Sequence, residues 1–394
     1  MLTPWSAADR VGVPALPGTA VPLALPSLLL LCWIVVCASG ARAAEAPTHA
    51  QDEPRRGYRA LVQAYRAGQI VEAVSGLREI APGDLRTTVQ RLVQARAAAS
   101  LTGGHLVDPA LLQAAAVLHA DAAAEAWGRG ESERAGLHLE CGAILVEALG
   151  SAGTPPGSFR QRWYLTTALV TARHADPAAA IDYFDRVTER VPGDAPLLTA
   201  AGWFAERMSF ARADPTPARR LTVARDIPDT RRRQEAVQRR YQRLAVRWLN
   251  AAREASPSAP GPILRLARVE AFRGRDAEAL ALLSPLVARD DVPLLVAYVG
   301  RLLLGNLYER SGQTTEAERI YREAMVLAPP AQSARVALAR LMYTTEPAAA
   351  AETVTGFLTS DADPGSNDPW ADYQLAYLPL GSLLLGELRL EVGQ

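Results

Sequence analysis

The chain has 394 residues and a mass of 42.2 kDa; 49% of the residues are apolar and 21% charged, which is enough hydrophobic material for a folded core and excludes wholesale disorder. Its 42 basic and 42 acidic residues cancel, so there is no general attraction to nucleic acid or to an anionic membrane. Every basic residue is Arg and none is Lys, which excludes a Schiff-base lysine and a lysine phosphate cradle; together with abundant Ala it points to a GC-rich coding bias, so Arg-rich stretches are discounted as signals.

The first element reads as an export signal. No charge occurs between Arg10 and Arg42, and residues 27–38 are SLLLLCWIVVCA, an apolar run within the ~7–15 residues of a signal core and short of the ~20 that span a bilayer. Ala41-Arg42-Ala43 suits signal peptidase, which puts the mature start at Ala44. The leader before it is long and carries Pro4, Pro14, Pro17 and Pro22, with Arg10 offset by Asp9, so an uncleaved N-terminal anchor is the alternative. Bulky Val36 before Cys37 argues against lipidation there. With Cys32 and Cys37 removed, Cys141 stands alone, no intramolecular disulfide can form, and its helical apolar setting predicts a small buried thiol.

From residue 54 onward Ala, Leu, Arg and Glu recur at helical spacing with almost no alternating β-branched runs, and helix is predicted throughout. Gly68, Ala73, Leu77 and Ile80 mark a first helix pair, followed by a helix over 84–100 without a partner. Ala123, Ala126, Gly130, Ala135 and Leu139 mark a degenerate pair; Ala168, Ala180, Phe184, Val187 and Pro192 mark another. A helix opening at Ala200-Ala201-Gly202-Trp203 finds its partner late, at 234–254, beyond an insertion holding Pro215, Pro217 and Pro228. Leu266-Ala267, Gly274, Ala279, Leu283 and Leu286 form the next pair, residues 298–330 the clearest one, and Leu338-Ala339, Met342, Ala351 and Leu358 the last. In the tail, Trp370, Tyr373, Leu375 and Tyr377 precede Pro379 and the apolar stretch 380–390; this reads as a cap over the end of the array. The degenerate N-terminal pairs are expected to fray first.

Within 298–330, Leu304-Gly305, Tyr308, Gly312, Ala317, Tyr321, Ala324 and Pro329 stand at the offsets of a 34-residue tetratricopeptide repeat, which the segment resembles. Gly305 and Ala317 are small where two antiparallel helices approach, Gly312 supplies the left-handed residue that ends the first, and Pro329 stops the second. The organisation expected is a signal peptide or anchor over 1–43, a linker over 44–53, degenerate repeats over 54–194, a pair with an Arg-rich insertion over 195–259, good repeats over 260–363 and a capping region over 364–394. The fold class is all-α, helix-turn-helix repeats stacked as an α-solenoid, and the resemblance implies a right-handed superhelix.

The resemblance also implies a concave groove, lined by first helices, that holds a peptide or a partner helix. Its residues would be Leu264, Arg268, Ala271, Phe272, Val299, Leu302, Asn306, Glu309 and Arg310, a mixed surface suited to an extended or helical segment. The subclass that clamps a C-terminal carboxylate is not matched, because Leu302 replaces its lysine and Ala337 its next asparagine.

Chemistry is sparse. His49, His105, His119, His138 and His174 have no metal-ligand spacing, although His119 and His138 fall on the two helices of one pair and could approach. Asp182, Asp185 and Glu189 line one helix face, an arrangement that could bind a cation but reads as a solvated stripe, with Arg186 and Arg190 nearby to neutralise it. No catalytic, cofactor or metal residues are identified, no cofactor is called for, and the chain is read as a non-enzyme. Residues 212–247 hold eleven Arg against four acidic residues, an exposed helix or an anion-facing patch. The expected function is a non-catalytic scaffold in a bacterial cell envelope with a protein or peptide partner, no nucleic acid, and membrane contact only through an uncleaved N-terminus. The alternative is an envelope enzyme or glycan- or anion-binding protein with its site near 212–247.

Overall fold

A computed structural model describes residues 49–102, 108–150, 157–210, 227–358 and 368–393. The chain divides into two compact units after Asp52, and the account that follows concerns the second, residues 53–394. The leader, the cleavage site, Cys32 and Cys37 lie outside the described residues, as does the stretch 211–226 with Pro215 and Pro217.

Among the described residues there are seventeen helices and no strand. In chain order they are α1 (His49–Arg66), α2 (Ile70–Glu79), α3 (Pro82–Thr102), α4 (Pro109–Gly128), α5 (Ser132–Leu149), α6 (Phe159–His174), α7 (Pro177–Arg190), α8 (Ala195–Phe210), α9 (Ile227–Ala255), α10 (Pro260–Phe272), α11 (Asp276–Val287), α12 (Leu294–Arg310), α13 (Thr314–Leu327), α14 (Ser333–Met342), α15 (Pro347–Leu358), α16 (Pro369–Leu375) and α17 (Leu380–Gly393). From α4 to α15 they form six hairpins, α4–α5 through α14–α15. The first helices α4, α6, α8, α10, α12 and α14 also touch one another in series, and each second helix touches the first helix of the next pair. The late partner of α8 is α9, as the sequence predicts. The fold is all-α, stacked TPR-like hairpins.

The turns repeat one device. Gly68, Gly130, Gly274 and Gly312 have φ between 75° and 82°, and in each turn the next amide reaches back five residues: Gln69 to Ala64, Glu131 to Ala126, Arg275 to Glu270 and Gln313 to Tyr308, at 2.8–2.9 Å. This is a Schellman closure, which only the left-handed residue permits without strain. Inside the hairpins the axes close on glycine. A Cβ at Gly305 would lie 2.5 Å from Cε1 of Tyr321, and one at Gly202 would lie 2.5 Å from Leu249, so a ring or a leucine fills the space that any other residue would occupy.

Three expectations need correction. The helix expected to be unpartnered, α3, docks on α5, with Arg86 bonded to Glu140 at 2.5 Å. The expected fraying of the N-terminal pairs does not fit α4, whose residues 114–123 are all buried because α2, α5, α6 and α17 surround it. A helix that is apolar all round, as ALLQAAAVLHADAAA is, belongs in an interior. Finally, the tail does not cover the last pair. Its short helix α16 lies on α12, and α17 lies on α6 and α4, because Leu385, Leu388 and Val392 join the hydrophobic cluster of the N-terminal helices.

Replacing Gly305 by Leu should lower the unfolding free energy by about 1–3 kcal/mol through overpacking against Tyr321, read as a lower Tm with helical content unchanged at low temperature.

Candidate functional site

Of the carboxylates buried among the described residues, Asp121, Glu206, Glu270 and Asp368, two on first helices meet the C-terminal segment. Asp121 sits on α4 at 5% exposure and Glu206 on α8 at 1%. A buried carboxylate without partners is costly, so its surroundings must supply cations and donors.

Around Glu206 the supply comes from two directions. On α10, Arg265 and Arg268 are three residues apart and therefore share a face; their Nη1 atoms donate to Glu206 at 2.7 and 2.9 Å. From the tail, the Tyr373 hydroxyl donates to the same carboxylate, and Nη2 of Arg265 donates to the Tyr373 carbonyl at 3.2 Å. Aromatic rings close the cluster. The Arg265 guanidinium lies 4.3 Å from the Tyr373 ring centre and 5.4 Å from that of Tyr377. Arg268 lies 4.0 Å from Phe210 and 5.0 Å from Trp370, and Trp203 meets Tyr377 at 5.0 Å. Burial, and next the charge of Glu206, pushes the Tyr373 hydroxyl above its ordinary range, so it stays a donor.

Around Asp121 the cation is the tail's own. Nε of Arg389 donates to the carboxylate at 2.9 and 3.1 Å, Nη2 donates as well, and Tyr65 of α1 adds its hydroxyl. Among the described residues, Arg389 is the cation paired with Asp121. The hydrogen bond to Asp121 holds the Arg389 guanidinium even more firmly charged than usual.

Between these two anchors the tail makes further bonds to first helices. Asp368 accepts from the amides of Gln332 and Ser333 at 3.1 and 2.9 Å, at the start of α14, and also caps α16 through the Trp370 amide. On α6, Arg173 donates to Ser382 at 2.8 Å and Arg162 pairs with Glu391 at 2.7 Å. Gly381 lies so close to α6 that a Cβ would stand 3.1 Å from the carbonyl carbon of Leu169 and from the amide of Val170. Residues 368–393 thus run along the first helices in reverse order, from α14 to α4.

Of the groove residues expected from the sequence, Arg268 meets the tail. Leu264, Val299 and Leu302 are buried in the core of the C-terminal pairs rather than lining a surface. Glu309 accepts from Tyr321 at 3.1 Å and from Arg340 at 2.6 Å, and Arg310 donates to the Ala271 carbonyl and pairs with Asp276; both tie neighbouring helices together. Asn306 is half-buried, and Phe272 is exposed with its ring 4.4 Å from Phe210. Sequence reasoning missed Asp121, Glu206, Arg265 and Arg389. The two carboxylates had a signal, an acid in an otherwise apolar helix, as in AAGWFAERM and VLHADAAA; the two arginines had none.

The remaining candidates are structural. Arg240 reaches Asp182 at 3.7 Å and Arg247 bonds Asp185, so part of the Arg-rich helix α9 and the acidic stripe of α7 neutralise each other. His119 and His138 do approach, with Nδ1 atoms 3.1 Å apart, and Tyr58 closes the row at 3.1 Å from Nε2 of His119. Burial lowers both pKa values, that of His138 to about 4 with help from Arg134, so at neutral pH the row is an uncharged link between α1, α4 and α5. Cys141 is buried and its thiol is pushed up to about 12 by burial, which leaves it unreactive. No group of three or more metal-ligating side chains occurs among the described residues.

No protein-family model matches the chain, and no curated protein matches it. Among solved structures it is similar to TTC0263, a TPR protein of Thermus thermophilus, with 19% identity over 57% of this chain and 97% of that one and a TM-score of 0.34. It is also similar to yeast Tom70, with 14% identity over 89% of this chain and 67% of that one and a TM-score of 0.31. The chain's own helix pairs and turn geometry carry the repeat assignment.

Glu206→Leu should cost about 3–5 kcal/mol, because Arg265 and Arg268 then remain as uncompensated buried charges. Adding Arg265→Met and Arg268→Met should recover a large part of that loss, read from guanidinium denaturation midpoints.

Proposed function

We propose that the chain is a non-catalytic scaffold of a bacterial cell envelope that holds a protein partner along its first-helix face. The observation that supports this is the lie of residues 368–393. A segment of two helices joined by a turn is accommodated on that face by aromatic stacking, by charged sockets and by close backbone approach at Gly381, the combination by which helices dock into grooves. The alternative of an anion site in the Arg-rich region is weakened by the pairing of Arg240 and Arg247 with Asp182 and Asp185. The envelope location rests on the uncharged stretch 11–41 with its apolar core and on the Ala41-Arg42-Ala43 site. No helix of the described residues is long and apolar enough to cross a membrane.

A photo-reactive residue placed at Phe272, on the first helix α10, should cross-link a second polypeptide in cells. One at Val326, 78% exposed on the second helix α13, should not. Cross-links from Val326 alone, or from neither position, would remove the reading. Fusing residues 1–60 to an alkaline phosphatase that is active only outside the cytoplasm tests the location; an inactive fusion contradicts it.

A further inference from the structure

The tail's contacts with the repeats are unevenly arranged, and the unevenness is informative. At Glu206 the repeats neutralise their own acid, since Arg265 and Arg268 both come from α10; the tail adds a hydroxyl and aromatic faces. At Asp121 the repeats supply a hydroxyl from Tyr65, and the positive charge comes from the tail. The first-helix face therefore presents two sockets of different chemistry, one for a phenol and one for a guanidinium.

The segment filling them is docked by one face. Leu385, Leu388 and Val392 are buried, whereas Leu383 and Leu390 are 61% and 68% exposed, and Leu375 before them is 51% exposed. A core helix of a solenoid is covered by a neighbour on each side, as α4 is; α17 has α4 and α6 beneath it and leaves its other face open. The bonds at its edges, Arg162 to Glu391 and Arg173 to Ser382, are exposed to solvent, where such pairs contribute little. The close approach at Gly381 is to α6 backbone and a Cβ, which cannot give way as a flexible side chain can.

We propose that residues 368–393 are a built-in, displaceable occupant of the partner-binding face. The partner they stand in for is an amphipathic helical polypeptide that brings an arginine to Asp121 and, well before it in sequence, a tyrosine to Glu206 and Arg265. The proposal rests on the scaffold reading above and adds to it the chemistry of the partner and a means of withholding the face. Because the occupant is covalently attached, its effective concentration is high, and a free competitor must match both sockets to displace it.

The probe is a fluorescent synthetic peptide with the sequence of residues 368–394, titrated into the full chain and into Gly381→Leu, which blocks the tail's approach without touching the sockets. Peptide anisotropy should report binding to Gly381→Leu at least tenfold tighter than to the unaltered chain, and a peptide carrying Arg389→Glu should lose that binding. Equal binding to both proteins, with helical content retained, overturns the proposal. Hydrogen exchange on the unaltered chain covers the case in which Gly381→Leu does not fold. Amides of 380–393 should exchange together and at least tenfold faster than those of α6. If they exchange no faster than α6, the tail is a permanent layer of the core and the proposal fails. Cross-linking from Phe272 without peptide exchange would leave the scaffold reading standing and remove only this one.

Discussion

Two buried carboxylates, Asp121 and Glu206, set the terms for everything that touches the first-helix face. Placed on helices that are otherwise apolar, each must be matched by a cation, and the matches differ: two arginines of α10 at Glu206, and the tail's own Arg389 at Asp121. A buried ion pair is weak evidence for stability, because desolvation consumes most of the Coulombic gain. What such a pair does supply is register. A hydrophobic strip such as Leu385, Leu388 and Val392 could slide by a helical turn along an apolar surface, but Arg389 must stand at Asp121 and Tyr373 at Glu206. These two points, with Gly381 against α6 between them, fix where the C-terminal segment lies.

The hairpins themselves were legible from the sequence because their determinants are local. Gly312 and its counterparts sit two residues past the end of a first helix, Gly305 faces Tyr321 across one turn of chain, and caps such as Ser158 with Gln161 or Asp176 before Pro177 lie within four residues of what they cap. Even the late partner of α8 could be read, since helical spacing continues beyond the insertion; in the structure its Trp248, Leu249 and Ala252 are buried.

The tail was legible as helix and illegible as to place. Its amphipathic pattern suits a cap over α15 and an occupant of the first-helix face equally, because both bury one apolar stripe. The residues that decide between them, Asp121 and Glu206, lie far away in sequence, and nothing local to Tyr373 or Arg389 points to them. The same distance explains the misplaced groove. Leu264, Val299 and Leu302 fall at the right offsets, but the tight nesting of these pairs draws them into the core, and Glu309 and Arg310 are engaged by Arg340 and Asp276 of adjacent helices. Offset within a repeat predicts the face of a helix; it does not predict which of its side chains a neighbouring pair will claim.

The central claim, that the tail is held to the N-terminal repeats by its arginine at Asp121, is tested most directly by a double-mutant cycle in thermal or denaturant unfolding with Asp121→Asn, Arg389→Met and the two together. If the two groups interact as described, each single change destabilises, and the double variant is no worse than the more damaging single one. Strictly additive losses would mean that the pair does not exist in solution and that the tail lies elsewhere.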